Sequence, residues 1–308
     1  MTNSELKTNP LVTIIGAGPV GVALAGKLTR SGVPIAALYG RTFEQAEEAA
    51  GDAGVVGASC EVSALAQQAD VIIIAVADHR VPEVAAEYLK KGLIGSHHVV
   101  LHTCGAWAAH EVLSCLVGHV NAVGTLHPLA SISSRKGAFS RLNGASFGIE
   151  GDVEAVAMAE RLVSLMGCKP LRLLTEQMPL YHAGAAIGSN LIVAVMDLAR
   201  KAFEAAGVPP EEVVPALVPL LRSTVDNLEQ QGLPDALTGP VARGDVLTIE
   251  RHLGALDRSV ADVASLYRLL GHEVLSVALR KLPSFEAKVA NKLRALFETK
   301  AKKPAHSS

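Results

Sequence analysis

The chain has 308 residues and carries 28 Lys or Arg against 30 Asp or Glu, a formal net charge of −2, with the basic residues spread rather than clustered; this argues against a nucleic-acid partner. Its mean hydropathy is +0.31, yet the longest apolar stretches are interrupted by charge, His or Asn short of a membrane span, so the abundant Ala, Val and Leu read as buried strands and packed helices. Four cysteines, Cys60, Cys104, Cys115 and Cys168, show no CxxC spacing and indicate neither a disulfide framework nor a zinc site.

Residues 1–9 are polar and lack the basic-then-apolar order of a signal peptide, so the expectation is a disordered start and a cytoplasmic protein. The stretch Val12–Gly32 organises the rest of the chain. An apolar run breaks into Gly16-Ala17-Gly18-Pro19-Val20-Gly21 and continues as an Ala/Leu-rich helix. Gly16 allows the turn, Gly18 lets the backbone approach a pyrophosphate, and Gly21 lets the helix pack on the strand. Pro19 suits a first helical turn, and Val20 lies beside it. The helix amides then face the phosphates of a dinucleotide. A second strand, Pro34–Tyr39, ends in Gly40-Arg41-Thr42, where an NAD-specific domain places an acid. A guanidinium and a hydroxyl suit a 2′-phosphate instead, so the cofactor expected is NADP. The other reading of Arg41 is a solvated residue ahead of the helix Phe43–Ala50.

The alternation of strand and helix continues through a short strand at Gly54–Ala58, a helix over Glu61–Gln68 and a strand over Asp70–Val76. Ligands of such sheets bind beyond the carboxyl ends of the strands, which places Val76, Ala77 and Asp78 beside the cofactor. Strands at His98–Leu101 and Asn121–Leu126 run into His102-Thr103-Cys104-Gly105-Ala106 and His127-Pro128-Leu129-Ala130-Ser131, at the same edge. Ser146–Ile149 and Lys169–Leu173, around a helix Val153–Met166, complete an α/β Rossmann domain over residues 1–174, a doubly wound, mostly parallel sheet. From 175 to 308 the pattern is all-α: a long helix Leu180–Ala206, a second from Glu211 to Glu229 kinked by Pro215 and Pro219, a loop Gly232–Gly244, helices Val246–Leu256 and Ser259–Leu279, and a helix after Pro283 before a polar end, Lys300–Ser308.

The candidate chemistry gathers at the strand ends. His127 follows an apolar strand and is held extended by the next Pro; an imidazole there can move a proton near neutral pH. His182 is the second candidate. Ser189 and Asn190 lie seven and eight residues after it, within an arc of about 100° on a continuous helix. This polar stripe on an Ala/Gly/Val/Ile helix either lines a site or satisfies itself in a core. Arg243 would bind a carboxylate, or else pair with Asp245 or a loop carbonyl. Tyr181 donates a proton or packs at the helix start. His98 and His102 share a strand face, but no nearby acid or thiol completes a metal set, so no metal is expected.

Five motifs in order, GAGPVG, HTCGA at 102–106, GTLHPLAS at 124–131, YHAGAAIGSN at 181–190 and LTGPVARGD at 237–245, resemble a bacterial family with a Rossmann-like domain and a C-terminal domain of unknown function, similar to deazaflavin-dependent NADP oxidoreductases. The resemblance covers most of the chain. It implies an NADP-binding domain followed by a helical domain like those of pyrroline-5-carboxylate reductase, 6-phosphogluconate dehydrogenase, ketopantoate reductase and prephenate dehydrogenase. Against prephenate dehydrogenases, His127 and His182 resemble the His after the sixth strand and the His opening the long helix, and Thr103 or Cys104 resembles a substrate-binding Ser. The Lys-x-x-x-Asn pair of hydroxyacid dehydrogenases is missing: only Asn190 matches, without the Lys.

The expectation is therefore an NADP-dependent oxidoreductase that transfers a hydride to or from a small carbonyl, hydroxy or imine compound between the two domains. His127, His182 and Asn190 would serve catalysis, and Cys104, Ser131, Ser189 and Arg243 the substrate. Alternatives are a ketopantoate-reductase-like enzyme of cofactor biosynthesis and an NADPH sensor without turnover. The apolar long helix leads to the expectation of a homodimer through the helical domains.

Overall fold

The computed structural model describes residues 9–61, 63–282 and 285–298. Apart from Asn9, the polar start and the polar end Lys300–Ser308 lie outside the described residues. The chain divides into two compact units, the first running to Ser189 and the second from Asn190.

The first unit alternates β1 (Val12–Ile15), α1 (Pro19–Arg30), β2 (Ile35–Tyr39), α2 (Phe43–Ala53), β3 (Ala58–Ser59), α3 (Ala64–Gln67), β4 (Val71–Ile74), α4 (Val81–Lys90), β5 (Val99–His102), α5 (Ala109–Val112), β6 (Ala122–Pro128), β7 (Ser146–Gly151), α6 (Val153–Leu165) and β8 (Lys169–Arg172). One eight-stranded sheet runs in the order β3-β2-β1-β4-β5-β6-β7-β8. Its pairs are parallel except β6–β7, which is antiparallel with His127 opposite Gly148. Two differences from expectation have local causes. Gly54 adopts φ 74° and ends α2, so the strand expected at Gly54–Ala58 starts only at Ala58. The segment Val81–Lys90, unassigned from sequence, is an amphipathic helix that buries Val81, Val84, Ala85 and Tyr88, the i, i+3, i+4, i+7 spacing of one helix face.

Alternation along the strands builds a core on each face. Ile14, Val71, Ile73 and Leu101 point to the side covered by α1, α2 and α6. Ile15, Ile72, Ile74 and Val100 point to the side covered by α4 and α5. Burial on both faces explains why the strands are continuous apolar runs. Each fully buried Ile or Leu contributes roughly 1.5–3 kcal/mol relative to exposure. The sheet therefore presents its carboxyl edge, where the loops after β1, β4, β5 and β6 emerge, on a stiff base.

The continuous helix expected over Leu180–Ala206 is two helices, α7 (Met178–Gly188) and α8 (Asn190–Ala205). They are separated at Ser189, whose φ −132° and ψ −76° are non-helical. Gly188, Ser189 and Asn190 are three successive weak helix formers, and Ser and Asn compete with the helix for backbone groups. The division between units falls here rather than at 174, and α7 belongs to the first. The second unit continues with α9 (Pro210–Gln231), α10 (Val246–Ser259), α11 (Ala261–Lys281) and α12 (Ala287–Glu298). Pro215 and Pro219 lie inside α9, which runs on through both. Its core joins Ile249, Leu253, Leu275, Ala278, Leu293 and Phe297. Asp245 caps α10 by accepting from the Thr248 amide at 3.0 Å. No residue of α8 is buried, and Leu191 and Val193 are 52% and 71% exposed. Thr175–Ala205 is also long and apolar enough to cross a membrane by length and composition, with a mean hydropathy of 1.3.

Candidate active site

A groove of about 1170 Å³ runs along the carboxyl edge of the sheet, and every residue lining it belongs to the first unit. At its start, Gly16 has φ 135°, and a Cβ there would run into the Ala75 carbonyl. A Cβ on Gly21 would strike the carbonyl of Gly16, so α1 sits directly on the turn. Gly18 differs: its Cβ would meet nothing within 4 Å, which leaves its flank of the groove open. The first turn of α1 has Pro at its start, no acidic residue and no side-chain cap. Its free amides are thus available to an anion. Arg41, Gln45, Glu48 and Arg135 line the groove beyond the end of β2.

The far end is built by β5, β6 and α7. His127 stands near the end of β6, and its Nδ1 lies 2.9 Å from the Tyr181 hydroxyl. The His127 and His182 rings meet edge to face with centroids 5.6 Å apart. Two glycines make this possible. A Cβ on Gly148 would lie 2.6 Å from the Tyr181 hydroxyl, and one on Gly105 would lie 2.7 Å from His127 Nε2 and collide with His182. Burial, with a smaller contribution from His182, pushes the His127 pKa down to about 4, against an opposite pull from Asp78. Burial pushes the Tyr181 phenol up to about 12, against a lowering by the Gly148 backbone. Both groups are uncharged near neutral pH.

Beneath them runs a buried polar row set by strand register, which pairs His102 with Thr125 and Thr125 with Glu150. The Cys104 amide donates to His102 Nδ1 at 3.1 Å, so Nε2 carries the ring proton and donates to the Thr125 hydroxyl at 3.0 Å. Thr125 donates to Glu150 at 3.1 Å, and Glu150 also accepts from the Ala109 amide at 2.9 Å and the Thr175 hydroxyl at 2.7 Å. Burial lowers the His102 pKa to about 3, so the ring is neutral. Thr175 lies just before α7, so this row ties the helix bearing Tyr181 and His182 to the sheet.

Residues 11–100 match the family model of the NADP oxidoreductases described as coenzyme F420-dependent, and residues 145–274 match a domain of unknown function, DUF2520. The chain joins an NADP-oxidoreductase Rossmann domain to a DUF2520 domain. This domain content makes it an oxidoreductase with NADP as its cofactor. No curated protein matches its sequence. Among solved structures it is similar to a Thermotoga maritima protein (21% identity, TM-score 0.68, covering 88% of this chain and 99% of that one). It is also similar to an imine reductase from a Pseudomonas species (18%, TM-score 0.57, 94% and 100%) and to a Plasmodium falciparum pyrroline carboxylate reductase with NADP bound (12%, TM-score 0.58, 94% and 98%). At these identities the likeness is one of fold.

The groove of this oxidoreductase fits the cofactor. Gly16, Gly18, Pro19 and Val20 line it at the turn, Gly40 and Arg41 at the end of β2, and Val76, Ala77, Asp78 and Thr103 further along. Gly21 acts from behind by letting α1 close on the turn. Several expected contacts are not made. Thr42 is the N-cap of α2, accepting from the Gln45 amide at 3.3 Å, and only Arg41 of that pair lines the groove. Cys104 is fully buried in the core under α4 and α5, with burial pushing its thiol pKa up; it follows the inward side of the strand alternation, while Thr103 faces the groove. Ser131 is exposed and does not line the groove. Ser189 sits at the helix break and Asn190 opens the second unit, so the arc drawn from His182 along a continuous helix does not hold. Arg243 is an exposed residue of the second unit, and Asp245 is engaged by Thr248. His98 does not pair with His102, which is committed to the buried row; its Nδ1 accepts from the Gly95 amide at 2.9 Å. Sequence reasoning missed Gly105, Gly148 and Arg135. Gly105 was legible as the small residue of HTCGA; the other two are matters of tertiary contact.

Proposed function

We propose that the protein is an NADPH-dependent reductase of small C=N compounds, with His127 and His182 over the reacting carbon. The observation that carries this reading is the meeting of the two imidazoles above Gly105, with Thr103 beside them in the same groove as the glycine-rich turn. Bound NADPH supplies the reducing equivalent. We assign Nδ1 of His127 as the acceptor of the Tyr181 proton, which leaves Nε2–H directed over Gly105. A neutral imidazole is a hydrogen-bond donor but a poor proton source. Imines carry their own proton when they react as iminium ions, whereas ketones require one from the protein. This chemistry favours imines over simple carbonyls, and the pyrroline carboxylate and imine reductases of similar fold support it.

The test is NADPH consumption with a panel of cyclic imines, matched ketones, and ketones supplied with an amine. The expected result is turnover of imines well above that of ketones alone. Tight NADPH binding with no turnover on any member would replace this reading by that of an NADPH sensor. The ketopantoate-like alternative needs an anion anchor, the role expected of Arg243. The exposed apolar side chains of α8 support a homodimer through the helical unit. Sedimentation at micromolar concentration should give twice the chain mass, and a monomer would remove the idea.

A further inference from the structure

We propose that Arg135 is a second arginine for the 2′-phosphate of NADP, restrained in the free protein by Glu48, and that exchange of Glu48 for the phosphate sets cofactor choice. The proposal rests on the reading of the groove as an NADP site. Arg135 is delivered from the loop after β6, which is anchored across α1: Ala138 and Leu142 are buried, and the Arg30 guanidinium lies 3.6 Å from the centroid of the Phe139 ring. From that strap its terminal nitrogen reaches Glu48 at 3.0 Å and its Nε reaches Asp52 at 3.2 Å, both on α2. Arg41, Gln45, Glu48 and Arg135 line one groove.

The charges explain why an exchange is needed. Arg41 and Arg135 are offset by Glu48 and Asp52, so this end is balanced before a ligand arrives. A phosphate placed against Arg41 adds negative charge where Glu48 already stands. The Glu48 side chain is 66% exposed, so returning it to water costs little, as is usual for surface ion pairs. Arg135 has donors on a rigid fork, and Nε can stay on Asp52 while the terminal nitrogens turn to the phosphate. NADH has no phosphate to offer in return, and with it the Arg135–Glu48 bridge stays closed.

Dissociation constants for NADPH and NADH at fixed ionic strength test the proposal, read by fluorescence titration of the full chain. Arg135→Gln should weaken NADPH about fivefold to twentyfold and move NADH by less than about twofold, the scale of one charge-assisted contact less an exposed ion pair. Glu48→Gln should tighten NADPH about two- to fivefold by freeing Arg135. Equal effects of Arg135→Gln on both cofactors would make Arg135 a support for the loop and overturn the proposal, as would no effect on either. Arg41→Ala separates the two layers of argument. If it abolishes the NADPH preference while Arg135→Gln leaves it intact, the NADP reading stands and this proposal falls. A wild-type protein that binds both cofactors equally would remove both.

Discussion

The two ends of the groove select by opposite means. Where Arg41, Glu48 and Arg135 lie, the groove is lined by exposed or half-buried charges, and the proposed exchange of Glu48 for phosphate takes place there. Around His127 and Tyr181, burial disfavours charge, and position is enforced by packing and directed hydrogen bonds. On the proposed reading, cofactor choice draws on the more exposed end and the chemistry on the more buried one. Electrostatic contacts gain strength as solvent is withdrawn, but unpaired charge there becomes costly.

Breaking the far end should have the largest effect. His127→Ala should lower turnover about a hundred- to a thousandfold, the scale of losing one preorganised donor, while NADPH affinity stays within about twofold because the expected pyrophosphate contacts lie at Gly16–Gly21. Steady-state kinetics with a separate binding titration measures both. A fall in affinity as large as the fall in rate would erase the distinction between the two ends. Arg41→Ala should do the reverse, weakening NADPH by about tenfold to a hundredfold with NADH unchanged and turnover at saturating cofactor preserved. Tyr181→Phe sharpens the comparison. It keeps the ring in the space left by Gly148 and removes only the bond to Nδ1, so turnover should fall by about tenfold, the scale of one hydrogen bond, with folding stability little altered.

Stability against pH gives a further comparison. His102 and His127 have folded pKa values of about 3 and about 4, below the ordinary histidine value of about 6.5. The unfolded chain therefore binds more protons between these limits. Their contribution is fully present above about pH 6.5 and is lost as pH falls to about 4 for His127 and about 3 for His102, by up to about 1.4 kcal/mol per unit for each ring. Urea unfolding at pH 7 and pH 5 should show the decline, and His127→Ala should make it shallower.

The sheet was legible because strands buried on both faces are written as uninterrupted apolar runs, and the phosphate turn because Gly16 and Gly21 occupy places where a Cβ collides with backbone. The two histidines were legible as polar residues at apolar strand and helix ends. Side-chain direction one residue past a strand was not: Thr103 faces the groove while Cys104 turns inward, and both stand in the same motif. The arc from His182 to Asn190 presumed a straight helix, and Ser189 ends it. Arg135 and Gly148 acquire meaning only when distant strands and loops are brought together, which local pattern does not encode.

The bond from Thr175 to Glu150 also has a consequence for local unfolding. Thr175 stands just ahead of α7, so releasing that segment from the sheet strips the buried Glu150 carboxylate of one of its donors and couples the start of α7 to the strands beneath. Beyond Ser189 no such fastening exists among the described residues of α8, and no side chain of that helix is buried. In native-state hydrogen exchange the amides of α7 should report the same slow, cooperative opening as β6 and β7, and protection should step down at Ser189. His182 should then lie on the better-protected side of that step, a few residues from the less protected one.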